Sequence, residues 1–226
     1  MCSSDLWKAD ALFLRDVAEM LDNVLQYFID NAPESIHRAK YSAARERSIG
    51  IGALGFHAYL QRKSVAFESA IAKSINNNIF KTIRKGLDDA NISLGSERGC
   101  APDADGTGRR FSHLMAIAPN ASSSIIMGNT SPSIEPFRAN AYRQDTLSGS
   151  YLNKNKYLDK LLKEKLTDEQ AYADAWSSII ANDGSCQHLD ILSDAERDCF
   201  RTSMEIDQRW VIDLDRKSTR LNSSHT

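Results

Sequence analysis

Three consecutive hydroxyls, Ser122, Ser123 and Ser124, follow Pro119-Asn120-Ala121 and precede Ile125-Ile126. If a helix opens within this stretch, its first backbone N–H groups have no partner inside the helix and carry the positive end of the helix dipole. Amides and serine hydroxyls converging at such a point form a seat for an anion, phosphate above all. Hydrogen bonds to a charged partner contribute about 1.5–3 kcal/mol each, so a few of them hold a diphosphate without a lysine. The same serines could do no more than cap the helix. The residues alone leave both readings open.

Other reactive side chains form no comparable group. Cys2, Cys100, Cys186 and Cys199 are far apart, with no CxxC or Cys/His spacing, so they read as buried or incidental thiols and a metal site is not expected. His57 and His113 each stand alone beside apolar segments, the usual setting of a hydrogen-bonded core histidine. Gly50-x-Gly52-x-x-Gly55 formally matches a dinucleotide fingerprint, but no acidic residue follows at the required distance. Its glycines are better read as permitting close packing of a strand against a helix. Arg109-Arg110 reads as a solvated pair in a polar loop, outside the site.

The elements that must position the serine loop show in the apolar pattern. Leu14, Val17, Leu21, Val24 and Phe28 recur at helical spacing, which predicts a long helix ending near Asn31-Ala32-Pro33. A charged connection leads to Arg47-Ser48-Ile49-Gly50-Ile51-Gly52-Ala53-Leu54-Gly55-Phe56, read as a buried strand and tight turn running into a helix at His57-Ala58-Tyr59-Leu60. Ile71, Ile75, Ile79, Ile83 and Leu87 predict a second long helix from about residue 66, stopping at Gly95. Leu114-Met115-Ala116-Ile117-Ala118 is an unbroken apolar run suited to a strand buried on both faces, and the serine loop follows it directly. Residues 139–152 alternate unevenly around Ser148-Gly149 and suggest a hairpin or an irregular excursion. Two capped helices are expected to close the chain. Thr167-x-x-Gln170 opens one that runs to Asn182-Asp183-Gly184, and Ser193-x-x-Glu196 opens another carrying Ile206 and Trp210 on its inner face. Strands separated by long helices place the chain in the α/β class, with a parallel sheet or barrel covered by helices.

The 226 residues are 42% hydrophobic and 26% charged, the composition of a globular protein, and the formal charge of −2 gives no general basic field for nucleic acid or an anionic membrane. No apolar run approaches the roughly 18 residues of a membrane span, and the first residues lack the pattern of a secretory signal. A cytoplasmic protein is expected. Residues 215–226, from Asp215-Arg216-Lys217-Ser218 onward, look like a translated adapter oligonucleotide, so 1–214 is expected to be the natural part and 215–226 a non-native tail.

Ala118-Pro119-Asn120-Ala121-Ser122-Ser123-Ser124-Ile125-Ile126-Met127-Gly128-Asn129, then Ser133-Ile134-Glu135-Pro136 and Asn140-Ala141-Tyr142, resembles the large, catalytic subunit of class I ribonucleotide reductases, most in the style of phage and bacterial members. Residues 47–56, Leu147-Ser148-Gly149, Asn182-Asp183-Gly184-Ser185 and Met204-Glu205-Ile206-Asp207-Gln208-Arg209-Trp210 extend the resemblance over nearly all of residues 31–214.

That resemblance implies a helix-rich, C-terminal-half fragment of a ten-stranded α/β barrel built from two five-stranded halves. It also implies reduction of ribonucleoside diphosphates to deoxyribonucleoside diphosphates by radical chemistry, with the substrate diphosphate gripped by Asn120, Ala121, Ser122 and Ser123. Asn120 and Ser123 stand where family members often carry another hydroxyl residue, which bears on the number of side-chain donors but not on the backbone amides. The implied partners are the ribonucleoside diphosphate, a small subunit holding a metal-radical centre, a second large subunit and nucleotide effectors; nothing implies a cofactor held by this chain, nor nucleic acid or membrane. The radical cysteine belongs to an Asn-x-Cys-x-Glu context that does not occur here, so no catalytic residue is assigned and the chain is expected to be inactive alone. Two alternatives stand beside the fragment of a larger enzyme: the C-terminal subunit of a split reductase, and a non-catalytic phosphate-binding module.

Overall fold

The structure, a computed structural model, describes residues 12–219. The chain divides into two compact units. One comprises the segment through Gly52, Asn77–Ala118 and the stretch from Arg216; the other comprises Ala53–Asn76 and Pro119–Asp215.

In the first unit, α1 (Phe13–Asn31) forms where the apolar spacing predicts it. Its stripe is only partly covered: Ala18 is buried, whereas Val24 remains 60% exposed. The connection read as merely charged is a second helix, α2 (His37–Glu46), entered through a 3-10 turn at Glu34–Ile36 and ended by Arg47 in the left-handed region at φ 46°. No residue of α2 is buried, so it left no apolar periodicity to find.

Most of the long helix α4 (Ala70–Arg98) also belongs to this unit, whereas α3 (Phe56–Arg62) belongs to the second. Its buried face carries Ile79, Phe80, Ile83, Leu87, Ala90 and Leu94. The helix does not stop at Gly95 as expected. It continues to Arg98 and gives way at Gly99, whose φ of +85° suits a residue without Cβ. Gly95 serves a different need, because a Cβ there would lie 2.2 Å from the Gly108 carbonyl oxygen and 3.0 Å from the Arg110 nitrogen. Since those atoms are backbone and cannot yield, Gly95→Ala is expected to destabilise by about 1–3 kcal/mol. Helix propensity alone predicts the opposite sign. A urea unfolding curve decides between them, and a more stable alanine variant would remove the packing explanation.

The two expected strands meet in parallel, but only as one bridge, Ile51 with Met115. The Ile49 amide donates to the His113 carbonyl at 3.0 Å and the Ala116 amide to the Ile51 carbonyl at 3.2 Å. Gly50 and Gly52 permit this approach: a Cβ on Gly52 would stand 2.4 Å from the Ala116 carbonyl oxygen. The glycines therefore serve strand-to-strand contact, rather than the strand-to-helix packing expected. Each segment has only the other as its bonded neighbour among the described residues, too little pairing for a regular parallel ladder.

The second unit contains α3 (Phe56–Arg62), α5 (Ala121–Ile126), the antiparallel hairpin β1 (Ala141–Thr146) and β2 (Gly149–Lys154), then α6 (Lys156–Lys165), α7 (Glu169–Ala181), α8 (Asp194–Cys199) and α9 (Gln208–Thr219) as far as Asp215. The hairpin falls where expected, with Tyr142 opposite Asn153 and Thr146 opposite Gly149. It is the regular sheet of the described residues, and the chain is accordingly more helical than an α/β alternation suggests. The core gathers Leu158, Leu162, Trp176, Ile179, Leu192 and Phe200.

Three helix assignments change. α6 has no counterpart among the helices expected from sequence; the Asn155 side chain caps it by accepting from the Tyr157 and Leu158 amides. Asp168, not Thr167, caps α7 by accepting from the Ala171 amide. The Ser193–Glu196 capping box forms, but its helix ends at Cys199, so Ile206 sits in the following turn and Trp210 belongs to α9. Leu214, proposed as the end of natural sequence, is fully buried within α9, which runs on to Thr219; residues 220–226 of the expected tail lie outside the described residues. Among the described residues, no helix is long and apolar enough to cross a membrane.

Candidate functional site

Leaving Ala118, the chain turns at Pro119 and enters α5 through Asn120, which adopts the left-handed conformation at φ 51°, ψ 30°. No side chain caps the helix. The Ser124 amide donates to the Asn120 carbonyl at 2.9 Å, closing the first turn, while the amides of Ala121, Ser122 and Ser123 meet no protein acceptor among the described residues. Ala121, Ser122 and Ser123 are exposed and Asn120 is half-buried. The Asn120 amide group and the hydroxyls of Ser122 and Ser123 likewise have no partner among the described residues. The structure thus brings the four expected residues together at one turn, with donors unspent.

Ser124 does not join them. It is buried, and its hydroxyl donates back to the Ala121 carbonyl at 2.6 Å, so two of the three serine hydroxyls remain outward-facing. At the far end of α5 the Thr130 amide donates to the Ser124 carbonyl at 3.0 Å, and the Tyr142 hydroxyl donates to Asn129 Oδ1 at 2.6 Å. Asn129 and Tyr142 were noted in the sequence only as matching residues. An asparagine directly after Gly128 is a common left-handed position, and that was the one local signal that it ends a helix.

The remaining candidates separate. His57 is fully buried and its Nδ1 accepts from the Phe137 amide at 3.0 Å, the core histidine that was expected. Burial pushes its pKa down to about 4, so the ring is neutral at pH 7. His113, in contrast, is exposed, and its ring contacts the Ser48 and Ser112 hydroxyls. Burial pushes the Cys186 thiol up to about 12 and the Cys199 thiol up to about 11, which keeps both protonated and poorly nucleophilic. Cys100 is half-buried; Cys2 lies outside the described residues.

Arg110 departs from the expected solvated pair. It is buried and donates to both Asp22 carboxylate oxygens, at 3.1 and 3.2 Å, and to the carbonyls of Arg98 and Gly99 at the end of α4. Arg109 is exposed. Among the described residues, no three His, Cys, Asp or Glu side chains gather in a way that could hold a metal ion.

Comparison with known proteins identifies the family. The model described as "Ribonucleotide reductase, barrel domain" matches residues 6–107 and 102–223. The ribonucleoside-diphosphate reductase large subunit of Invertebrate iridescent virus 6 is 56% identical over 210 residues, spanning 92% of this chain and 22% of that protein. The large subunit of Invertebrate iridescent virus 3 is 59% identical over 210 residues, spanning 93% of this chain and 33% of that protein. Among solved structures, the Actinobacillus ureae class Id ribonucleotide reductase alpha subunit superposes with a TM-score of 0.86 at 39% identity, covering 97% of this chain and 40% of that one. The chain therefore spans a third or less of the length of these two viral relatives. Both the family match and the structural likeness support an α/β barrel fragment, to which the parallel Ile51–Met115 bridge conforms. The chain belongs to the ribonucleotide reductase barrel-domain family and is a large-subunit sequence of that family.

Proposed function

We propose that this chain forms part of the barrel of a cytoplasmic ribonucleoside-diphosphate reductase large subunit and that Asn120, Ala121, Ser122 and Ser123 hold the substrate's diphosphate. The observation that carries this reading is the first turn of α5: three backbone amides and two hydroxyls face outward without protein partners. Water satisfies such donors at an ordinary helix start, but here they converge with two hydroxyls, and oriented amides hold phosphate oxygens without a net positive side chain. That no side chain caps the helix favours this reading over one in which the serines serve only as caps.

The chemistry this chain contributes is then binding and orientation. With the diphosphate fixed, the ribose would be held at a constant position relative to reacting groups supplied by other parts of the enzyme, which is how positioning lowers a barrier. The viral relatives are named as large subunits, and a small subunit supplying the radical follows from that reading. So do the second large subunit, the effector nucleotides and the remaining strands of a ten-stranded barrel.

In the complete large subunit, Ser122→Ala together with Ser123→Ala is expected to weaken ribonucleoside diphosphate binding by about 1–3 kcal/mol, since the backbone amides remain. The thermal midpoint should be unchanged, because both side chains are exposed and unpaired. Steady-state kinetics with CDP or ADP checks this, and a Michaelis constant equal to that of the parent would contradict the assignment.

A further inference from the structure

The donor turn of α5 is open at its front, and its orientation is fixed from behind. Six residues make a helix too short to hold its own direction, yet its last turn is tied twice: Thr130 N–H donates to the Ser124 carbonyl at 3.0 Å, and Asn129 N–H to the Ile125 carbonyl at 3.1 Å. Both ties are made at or beside Asn129, whose backbone lies in the left-handed region at φ 54° and whose side chain accepts a hydrogen bond. That bond comes from Tyr142 on β1, whose hydroxyl lies 2.6 Å from Asn129 Oδ1.

Tyr142 is itself rigidly placed. It pairs with Asn153 across the hairpin, and the base of the hairpin is fixed by Asn140. That residue is 1% exposed, donates to the Gly184 and Phe200 carbonyls and accepts from Asn155. On the other side of the tie, Ser131 accepts from the Gly55 amide through its carbonyl and from the Ala58 amide through its hydroxyl. Partial burial of Tyr142 raises its pKa, and the contact with Asn129 only partly opposes this, so the hydroxyl remains a donor through neutral pH.

We infer that Tyr142 is a positioning residue for substrate, acting through Asn129 to aim the Ala121–Ser123 amides at the diphosphate. This rests on the loop being the diphosphate seat. Tyr142 touches no reacting atom, so its loss alters how well the seat is formed and leaves the chemical step alone.

The test uses the complete large subunit with its small subunit, measuring KM and kcat for CDP and, separately, the equilibrium dissociation constant of CDP. Tyr142→Phe keeps the ring and removes the donor; KM and the dissociation constant are expected to rise about three- to ten-fold, the range one neutral hydrogen bond can shift an equilibrium, with kcat within two-fold. Should Tyr142→Phe fail to fold, Asn129→Gly removes the acceptor while accommodating the positive φ, and it carries the same expectation. Unchanged KM in Tyr142→Phe alongside a raised KM in the Ser122→Ala, Ser123→Ala variant overturns the role of Tyr142 and leaves the loop assignment standing. Unchanged KM in both overturns the loop assignment and the inference with it. A fall in kcat at constant KM in Tyr142→Phe also overturns the inference, because it would place the hydroxyl in the reaction itself.

Discussion

Asp22→Ala is expected to destabilise the chain by about 3–5 kcal/mol, the range found when one partner of a buried ion pair is removed. Asp22 is 1% exposed and receives three guanidinium groups: Arg47 Nη2 at 2.6 Å, Arg98 Nη1 at 2.9 Å and Arg110 Nε at 3.1 Å. Burial alone would push its carboxyl pKa up, but the hydrogen bonds from Arg47, Arg110 and Arg98 outweigh burial and hold it below the ordinary 3.8. Arg47 and Arg110 are themselves buried, and without the carboxylate they keep only neutral acceptors, Gln26 for the first and the Arg98 and Gly99 carbonyls for the second. Two desolvated cations facing each other are worse than a cavity. Asp22→Asn should therefore be nearly as harmful as Asp22→Ala, since an amide preserves volume but not charge. Because the folded carboxyl has the lower pKa, the stabilisation is fully present above about pH 4 and is lost as pH falls through the folded value. Urea unfolding at pH 7 measures the loss. A change below about 1 kcal/mol would show that the cluster contributes little net stability, as many ion pairs do.

That cluster also shows where sequence reading ends. The spacing of Leu14, Val17 and Leu21 announces α1, because burial of one face imposes a 3.6-residue period. Nothing in the period says that Asp22, on the same helix, faces inward; its partners lie 25, 76 and 88 residues away. Polar α2 buries nothing and so has no period, and α6 is short enough that Leu158 and Leu162 alone mark its inner face. Gly95 and Gly99 are indistinguishable as helix stops until the Gly108 carbonyl is seen against the first of them. The serine loop was legible because its chemistry is local: consecutive residues supply the amides and hydroxyls of one turn. What supports that turn was not, since Asn129 and Tyr142 are joined by a side-chain bond across 13 positions.

Lowering the pH from 7 to about 4 is expected to remove about 3 kcal/mol of stability through His57 alone. The ring is 0% exposed, lies between Phe67 and Phe137 with centroid separations of 5.3 and 5.6 Å, and accepts the Phe137 amide through Nδ1. Burial disfavours its cation and outweighs the Cys199 carbonyl, which favours it, so the pKa falls from 6.5 to about 4. Between those values the unfolded chain binds a proton that the folded chain refuses. Stability from this group is therefore intact above about pH 6.5 and declines as pH drops toward 4, the direction opposite to that of a histidine with a carboxylate partner. Asp22 and Glu196, whose folded carboxyls have lowered pKa values, take up protons in the unfolded chain only near the ordinary 3.8 and 4.5, so a comparison kept above pH 4.5 is governed by His57. His57→Asn keeps an acceptor for the Phe137 amide but carries no titratable ring. It should be less stable at pH 7, through lost packing, and nearly flat between pH 6.5 and 4.5, where the parent slopes. Unfolding midpoints collected across that interval distinguish the two curves, and parallel slopes for parent and variant would mean that His57 is not the group that titrates.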